Sequence, residues 1–346
     1  MSATTTLDQR GGVPIGAFAT LPDPASWHET LRSLGTHARG GQWIVSTPPD
    51  VAAALSTPAL QVIRPSAGTG PAAELVARMA RFCDGEAHRR RRALTMRLLP
   101  PVPAIASQAA ELAVRYLRER ADADRLDIMP LARTLPAEAI AGAMGLTGPA
   151  AARAADLAGQ LCDALSAGPR RAATARTPDA DTAASELCAT LRQLRLTAGD
   201  DVAAAASLLF QARDATAALI GAAVLAPRPP ESGHTAVRVQ SVLRRQAPVQ
   251  CTRRTAVADT PIGTALIPRG SDVWIFVAAA ELGNGAPATF GSGPHACPGA
   301  HAATAIAGEV LTILDAGGWR PVARQRIDYE PRPNLRLPRR VLVSRG

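Results

Sequence analysis

The sequence contains no lysine: all 38 basic residues are arginine, set against 29 acidic ones, and the formal charge is +9. Aromatic residues are nearly as scarce, at 3% of the chain, while apolar residues reach 47%. A core of this composition has to be built from Ala, Leu and Val. The shortage of aromatics removes the stacking platforms that single-stranded nucleic acid needs. The arginines are also dispersed rather than gathered in a stripe, so nucleic-acid binding is not expected. The charge excess reads as compositional bias with solubility, or as a basic face for an acidic partner. No uniformly apolar, charge-free run of about 18 residues occurs, so no membrane span is expected. The opening Met1-Ser-Ala-Thr-Thr-Thr-Leu-Asp-Gln-Arg10 lacks the apolar run of a secretory signal, and the expected location is cytoplasmic. The five cysteines, Cys83, Cys162, Cys188, Cys251 and Cys297, are widely spaced and form no CxxC pair. That excludes a disulfide framework and suits a reducing compartment with one special thiol.

At 346 residues, without repeats or an evident linker, the chain reads as a single domain over 1–346. Apolar spacing of three and four predicts helices over 104–120, 129–146 and 148–166. A long apolar helix is predicted over 199–226, stopped by Pro227-Arg-Pro-Pro230. The Pro-, Ala- and charge-rich stretch 165–182 reads as a mobile loop. Strands are expected at Gln42–Ser46 and 335–344, and 262–268 with 272–278 suggests a hairpin about the turn 268–270. The fold class is mainly α with small peripheral β-sheets, an α+β arrangement.

The most informative stretch is Phe290-Gly-Ser-Gly-Pro-His-Ala-Cys-Pro-Gly299, followed by a helix from about Ala300 to Leu314. Two glycines permit a tight turn and close backbone approach to something flat. The thiol then lies just ahead of a helix N-terminus, where amides and the helix dipole favour a thiolate. Pro298 suits the start of that helix, and a thiolate held in this way is a good axial ligand for heme iron. Two other readings stand beside it. One is a glycine-rich turn around a buried cysteine. The other is a zinc site of His295, Cys297 and His301, for which no distant Cys/His pair has the right spacing.

The stretch resembles the heme-binding loop of cytochromes P450, Phe-Gly-x-Gly-x-His/Arg-x-Cys-x-Gly, at Phe290, Gly291, Gly293, His295, Cys297 and Gly299. The resemblance implies heme b with Cys297 as the iron ligand, Phe290 shielding its sulfur, and His295 on a heme propionate. Asp84-Gly-Glu-Ala-His88-Arg-Arg-Arg-Arg92 resembles the family's helix whose His and Arg bind propionates. The i, i+4 spacing puts His88 and Arg92 on one face; in isolation the stretch would read as a solvated basic helix start. Arg254, in Pro248-Val-Gln-Cys-Thr-Arg-Arg254-Thr-Ala256, falls where the family places an arginine on the other propionate.

Three departures stand out. In Gln211-Ala-Arg-Asp-Ala-Thr216, Asp214 takes the family's acid position, Ala215 replaces its proton-relay threonine, and Thr216 follows one position, about 100° of helix, later. In Val239-Gln-Ser-Val-Leu-Arg244, Ser241 stands where the family's Glu-x-x-Arg has Glu. The long segment usually found before the heme loop, with the arginine that completes that ion pair, is missing. Arg244 should therefore face solvent or find another acid.

The resemblance implies a heme-thiolate oxidoreductase of bacterial type that oxidatively tailors a small natural product, free or carrier-tethered, with electrons from a ferredoxin-type donor. Asp214 is then a distal acid, Thr216 the nearest hydroxyl, and Arg213 an anion contact near the pocket or a solvated residue. A second reading keeps the heme-thiolate but changes the chemistry to peroxide use, N–O activation, coupling, dehydration or isomerisation. A third is a non-catalytic, P450-like heme-binding or accessory protein. The pocket-lining segments are expected near 60–82, 160–185 and 205–220.

Overall fold

The computed structural model describes residues 19–21, 24–64, 69–171, 179–228, 235–280 and 288–345, with backbone only for 166–171. By its contacts the chain divides into two compact units. The first comprises Met1–Ile63, Gln240–Cys297 and Ile327–Arg339; the second comprises Arg64–Val239, Pro298–Arg326 and Arg340–Gly346.

The first unit is built on a five-stranded sheet. In chain order its strands are β1 (His37–Arg39), β2 (Gln42–Val45), β3 (Leu60–Val62), β5 (Thr252–Ala256) and β8 (Asp272–Ile275). The spatial order is β1-β2-β8-β5-β3, with β2 and β8 parallel and in register at Ile44 and Trp274. Successive side chains of a strand point to opposite faces. Ile44, Trp274 and Phe276 accordingly join a cluster with Trp27 and Leu31 of α1 (Pro24–Leu34). Val45, Val273 and Ile275 join a second cluster with Val51, Ala54 and Leu55 of α2 (Pro48–Ser56). Both faces are therefore covered, which is why 272–278 is apolar without alternation.

The expected hairpin of 262–268 with 272–278 is not formed. Instead β6 (Thr260–Ile262) pairs with β7 (Ala265–Ile267) about Gly263, whose φ is +58°, and β8 leaves to join the larger sheet. The positive φ that only glycine adopts easily puts the turn inside the stretch read as one strand.

The second unit is helical. It contains α3 (Pro71–Ala77), α4 (Gly85–Leu98), α5 (Val102–Arg118), α6 (Met129–Ala143), α7 (Pro149–Arg171), α8 (Ala180–Leu191), α9 (Gly199–Leu225) and α11 (Ala300–Ala316). Between the last two, α10 (Thr235–Arg245) carries the chain into the first unit. A small sheet β4-β10-β9, from Arg125–Asp127, Leu342–Arg345 and Trp319–Pro321, closes this unit. The 27-residue α9 is apolar on all sides and buries 17 residues, among them the run Val202–Phe210. A helix of that kind belongs in a core, and α4, α6, α7, α8 and α11 all pack against it. Among the described residues two stretches have the length and hydropathy of a membrane span, Gly199–Leu225 and Gly293–Ala316, and the first is mostly buried within the protein.

The loop expected over 165–182 is helical at both ends, as α7 runs to Arg171 and α8 starts at Ala180. There Asp179 caps α8, its carboxylate accepting from the Asp181 amide at 3.1 Å. Residues 172–178 lie outside the described residues. The helix expected over 129–146 ends at Ala143, before Gly145 with φ +108°. The C-terminal strand covers Leu342–Arg345, while Leu335 and Pro338 make only isolated bridges to Val249 and Tyr329. The expected helix-rich α+β class holds.

Candidate heme-binding site

In the first unit, the stretch from Ala288 to Cys297 forms two short turns, Ala288–Phe290 and Gly293–His295, that fold the loop on itself. The Gly291 amide donates to Ala288 O at 2.7 Å, that of Ala296 to Gly293 O at 3.1 Å, and that of Cys297 to Phe290 O at 2.8 Å. Gly291 and Gly293 have φ of +70° and +66°, the left-handed region that side chains resist. At Gly293 a Cβ would also lie 2.9 Å from Leu55 O, so close approach to the end of α2 requires glycine. Thr289 anchors the start of the loop, donating to Val249 O at 3.4 Å.

This folding leaves Cys297 exposed, whereas Cys83, Cys162 and Cys251 are buried and Cys188 is half-buried; none is in a disulfide. Phe290 and His295 are half-buried in the same loop. On β5, Arg254 is 6% exposed, its Nη1 donating to Thr252 Oγ1 and to Arg253 O, both at 2.8 Å. A soft thiol at the open end of a glycine loop, with a histidine and a buried arginine in the same unit, fits the thiolate and carboxylate-binding needs of heme. Among the described residues no three of His, Cys, Asp and Glu come together. The reading of a buried cysteine fails, since Cys297 is exposed.

In the second unit, His88 is 4% exposed on α4 and Arg92 half-buried one turn further along. The neighbouring arginines are mostly engaged. Arg91 donates to Ala77 O at 2.6 Å, Arg90 reaches Asp200 at 3.4 Å and Arg97 reaches Asp201 at 2.7 Å, while Arg89 is exposed. The basic helix thus holds the end of α3 and the first turn of α9, a use its sequence did not announce.

Asp214 and Arg213 lie on α9, facing α7. Arg213 grips Asp163 through two bonds of 2.9 and 3.0 Å and reaches Asp214 at 2.9 Å, its side chain 12% exposed. Cys162 donates to the other oxygen of Asp214 at 3.5 Å. Burial opposes the Arg213 charge, but Asp214 and Asp163 outweigh it and hold its pKa above the usual value. Through these bonds Arg213 ties α9 to α7. Thr216 is buried at 4%, while Ala215 is half-exposed, so the two positions face differently, as the helical turn requires. Neither Asp163 nor Cys162 was signalled by the sequence, since their partners are some 50 residues away.

Arg244 is exposed, in keeping with Ser241 at the acid position. A cavity of about 310 Å³ lies between α3, α8 and the start of α9, lined by Leu75, Arg78, Cys188, Arg192 and Val202 among others. Burial pushes the Cys188 thiol up, against the pull of Arg192. Residues 205–220, expected at the pocket, do not line this cavity.

No family model matches the chain, and no curated protein matches it. Solved structures do. Epothilone B-bound cytochrome P450epoK aligns with a TM-score of 0.79 and 19% identity over 96% of this chain and 98% of its own. P450BioI, in complex with an acyl carrier protein bearing hexadec-9Z-enoic acid, gives 0.77 and 18% over 96% and 100%. CYP164A2 of Mycobacterium smegmatis with econazole gives 0.69 and 21% over 99% and 100%. The fold is that of the cytochromes P450, over nearly the whole chain.

Proposed function

We propose that this chain is a cytoplasmic heme-thiolate enzyme that oxidatively tailors a small natural product. The observation that carries the proposal is the Cys297 loop: two glycines with positive φ, an amide from Cys297 back to Phe290, and the thiol exposed just before α11. Cys297 would bind the iron, with His295, Arg254, His88 and Arg92 supplying charged donors for two propionates. Phe290, whose carbonyl accepts from the Cys297 amide, would shield the sulfur, and Gly291, Gly293 and Gly299 keep the loop slim. Heme, when bound, supplies the activation of dioxygen for two-electron oxidation of the substrate, with electrons from a ferredoxin-type donor.

The chain's own residues would then orient the substrate and set how protons can reach it. Asp214 stands on the distal helix, but both its carboxylate oxygens are engaged, by Arg213 and Cys162. Proton delivery through Asp214 requires Arg213 to yield. Thr216 is buried and one helical step from the relay position, which leaves substrate and water as proton carriers. That same observation favours a second reading, heme-thiolate chemistry that needs no relayed proton, such as peroxide use, N–O activation, coupling, dehydration or isomerisation. The neighbours named for epothilone and for a carrier-bound fatty acid support a substrate that is bulky, free or carrier-tethered.

The test is product formation with labelled dioxygen and a ferredoxin donor, against added peroxide alone. Label in the product with the donor supports the first reading. Turnover only with peroxide, or without any oxidant, supports the second. Bound heme with no turnover under any condition overturns both in favour of a non-catalytic heme-binding protein.

A further inference from the structure

We propose that Arg238 is a positioning residue that clamps the C-terminal end of α9 to the C-terminal end of α11. Its consequence for the heme-thiolate site rests on the reading above, because α9 carries Asp214 and α11 begins three residues after Cys297.

The argument starts from where the charges sit. Arg238 lies in the first turn of α10, a turn without any acidic residue, where the positive end of the helix dipole opposes a cation. Asp315 lies in the last turn of α11, where the negative end opposes a carboxylate. Local helix electrostatics disfavour both placements, so what holds them is tertiary. Arg238 is 4% exposed, and its Nη1 reaches the two oxygens of Asp315 at 3.1 and 3.4 Å. Its Nη2 donates to Ala223 O at 2.9 Å and to Val224 O at 3.3 Å.

Those carbonyls belong to the last turn of α9, where a helix has no amide of its own left to satisfy them. A single guanidinium therefore caps one helix and pairs with the end of another. Only the planar fork of arginine offers donors in both directions at once; a lysine ammonium can take up one partner well but not span both sets. Burial pulls the Arg238 pKa below its usual value, with Asp315 opposing. Arg228 and Arg320 also approach Asp315, at 3.1 and 3.8 Å, but their side chains are 36% and 41% exposed. Such open pairs contribute little. Arg244, the arginine that the sequence pattern singled out on the same helix, is exposed.

The test uses the full chain, with and without heme, as Arg238→Ala, Arg238→Lys and Asp315→Asn, with Arg228→Ala and Arg320→Ala as controls. Three readouts are taken: Tm, amide hydrogen exchange along α9 and α11, and the share of the reduced carbon monoxide complex in the thiolate form. Arg238→Ala should lower Tm by about 4–7 °C, as removing one partner of a buried pair does in a chain of this length. It should speed exchange at the end of α9 by roughly tenfold or more, and reduce the thiolate share. Arg238→Lys should recover part of the Tm through Asp315 while leaving the end of α9 fast. The controls should stay within about 1 °C.

If Arg238→Ala does not fold, Asp315→Asn carries the same comparison with side-chain shape kept. Equal behaviour of Arg238→Ala and Arg320→Ala in Tm and exchange would overturn the clamp. A lowered Tm with an unchanged thiolate share across the series would overturn the positioning role. A wild-type chain with no thiolate band would instead overturn the heme-thiolate reading, and exchange on the heme-free chain would still decide the clamp.

Discussion

Replacing Gly293 by alanine should damage the Cys297 loop more than the same change at Gly291, and at Gly299 it should do little to the heme-free chain. The sequence pattern treats the three glycines alike; their surroundings do not. At Gly293 the backbone has φ +66°, and a Cβ would meet Leu55 O at 2.9 Å and the Cα and Oγ of Ser56 at 3.3 Å. Two of these are backbone atoms of α2 and cannot swing aside. The left-handed conformation costs about 1–2 kcal/mol for a residue with a Cβ. Forced overlap in a packed site adds about 1–3 kcal/mol. Gly291 has φ +70° but its nearest neighbour would be 3.7 Å away, so only the conformational cost applies. Gly299 has φ −97° and nothing within 4 Å. For 346 residues the unfolding entropy is about 0.7 kcal/mol per kelvin. The Tm of the heme-free chain should then fall by about 3–7 °C for Gly293→Ala, about 1–3 °C for Gly291→Ala, and hardly at all for Gly299→Ala. Thermal unfolding followed by circular dichroism reads the series. Equal shifts at the three positions, or the largest at Gly299, would refute the reasoning. A loss at Gly299 seen only after heme is added would report close approach of the cofactor to that position.

Other outcomes follow from the same contacts. Arg213→Ala strips a 12%-exposed Asp214 of its guanidinium and should destabilise the chain by about 3 kcal/mol. Asp163→Ala should cost under about 1 kcal/mol, because Asp163 is 47% exposed; chemical denaturation distinguishes them, and equal losses would contradict the assignment. Complete burial pushes the Cys251 thiol up to about 12 from its ordinary 9.0. The folded state therefore keeps a proton that the unfolded state sheds, so this contribution to stability is whole below about pH 9 and is lost as pH rises toward 12. Cys251→Ala should flatten the fall of Tm across that window, and an unchanged slope would refute it. Heme retention should drop on Arg92→Ala and Arg254→Ala, each charge-assisted bond being worth about 1.5–3 kcal/mol, and should not change on Arg89→Ala. Heme-transfer kinetics to a scavenging globin would show it, and equal rates in all three would count against the propionate assignment.

Much of this architecture was legible in the chain because it is written locally. The apolar run of α9, its acidic start and its proline stop lie within one stretch, so its bounds, 199–226 expected and Gly199–Leu225 found, nearly coincide. The Cys297 loop is also contiguous, and its glycines mark the turns that the backbone makes there. What escaped was non-local or very short. Strands β6 and β7 have three residues each, too few for alternation to register, and their turn sits inside an apolar run. Arg213 with Asp163, and Arg238 with Asp315, join residues 50 and 77 positions apart, and no periodicity in sequence pairs such charges. Arg213 joins α9 to α7 through such a long-range pair, which no local pattern in the sequence shows.

The central claim is that Cys297 carries heme iron, and the reduced carbon monoxide spectrum of the purified protein tests it most directly. The thiolate-type band should appear in the wild-type chain and persist in Cys83→Ala, Cys162→Ala, Cys188→Ala and Cys251→Ala. It should vanish in Cys297→Ala. A thiolate-type band that survives unchanged in Cys297→Ala, or that never forms in the wild-type chain supplied with heme, would contradict the account.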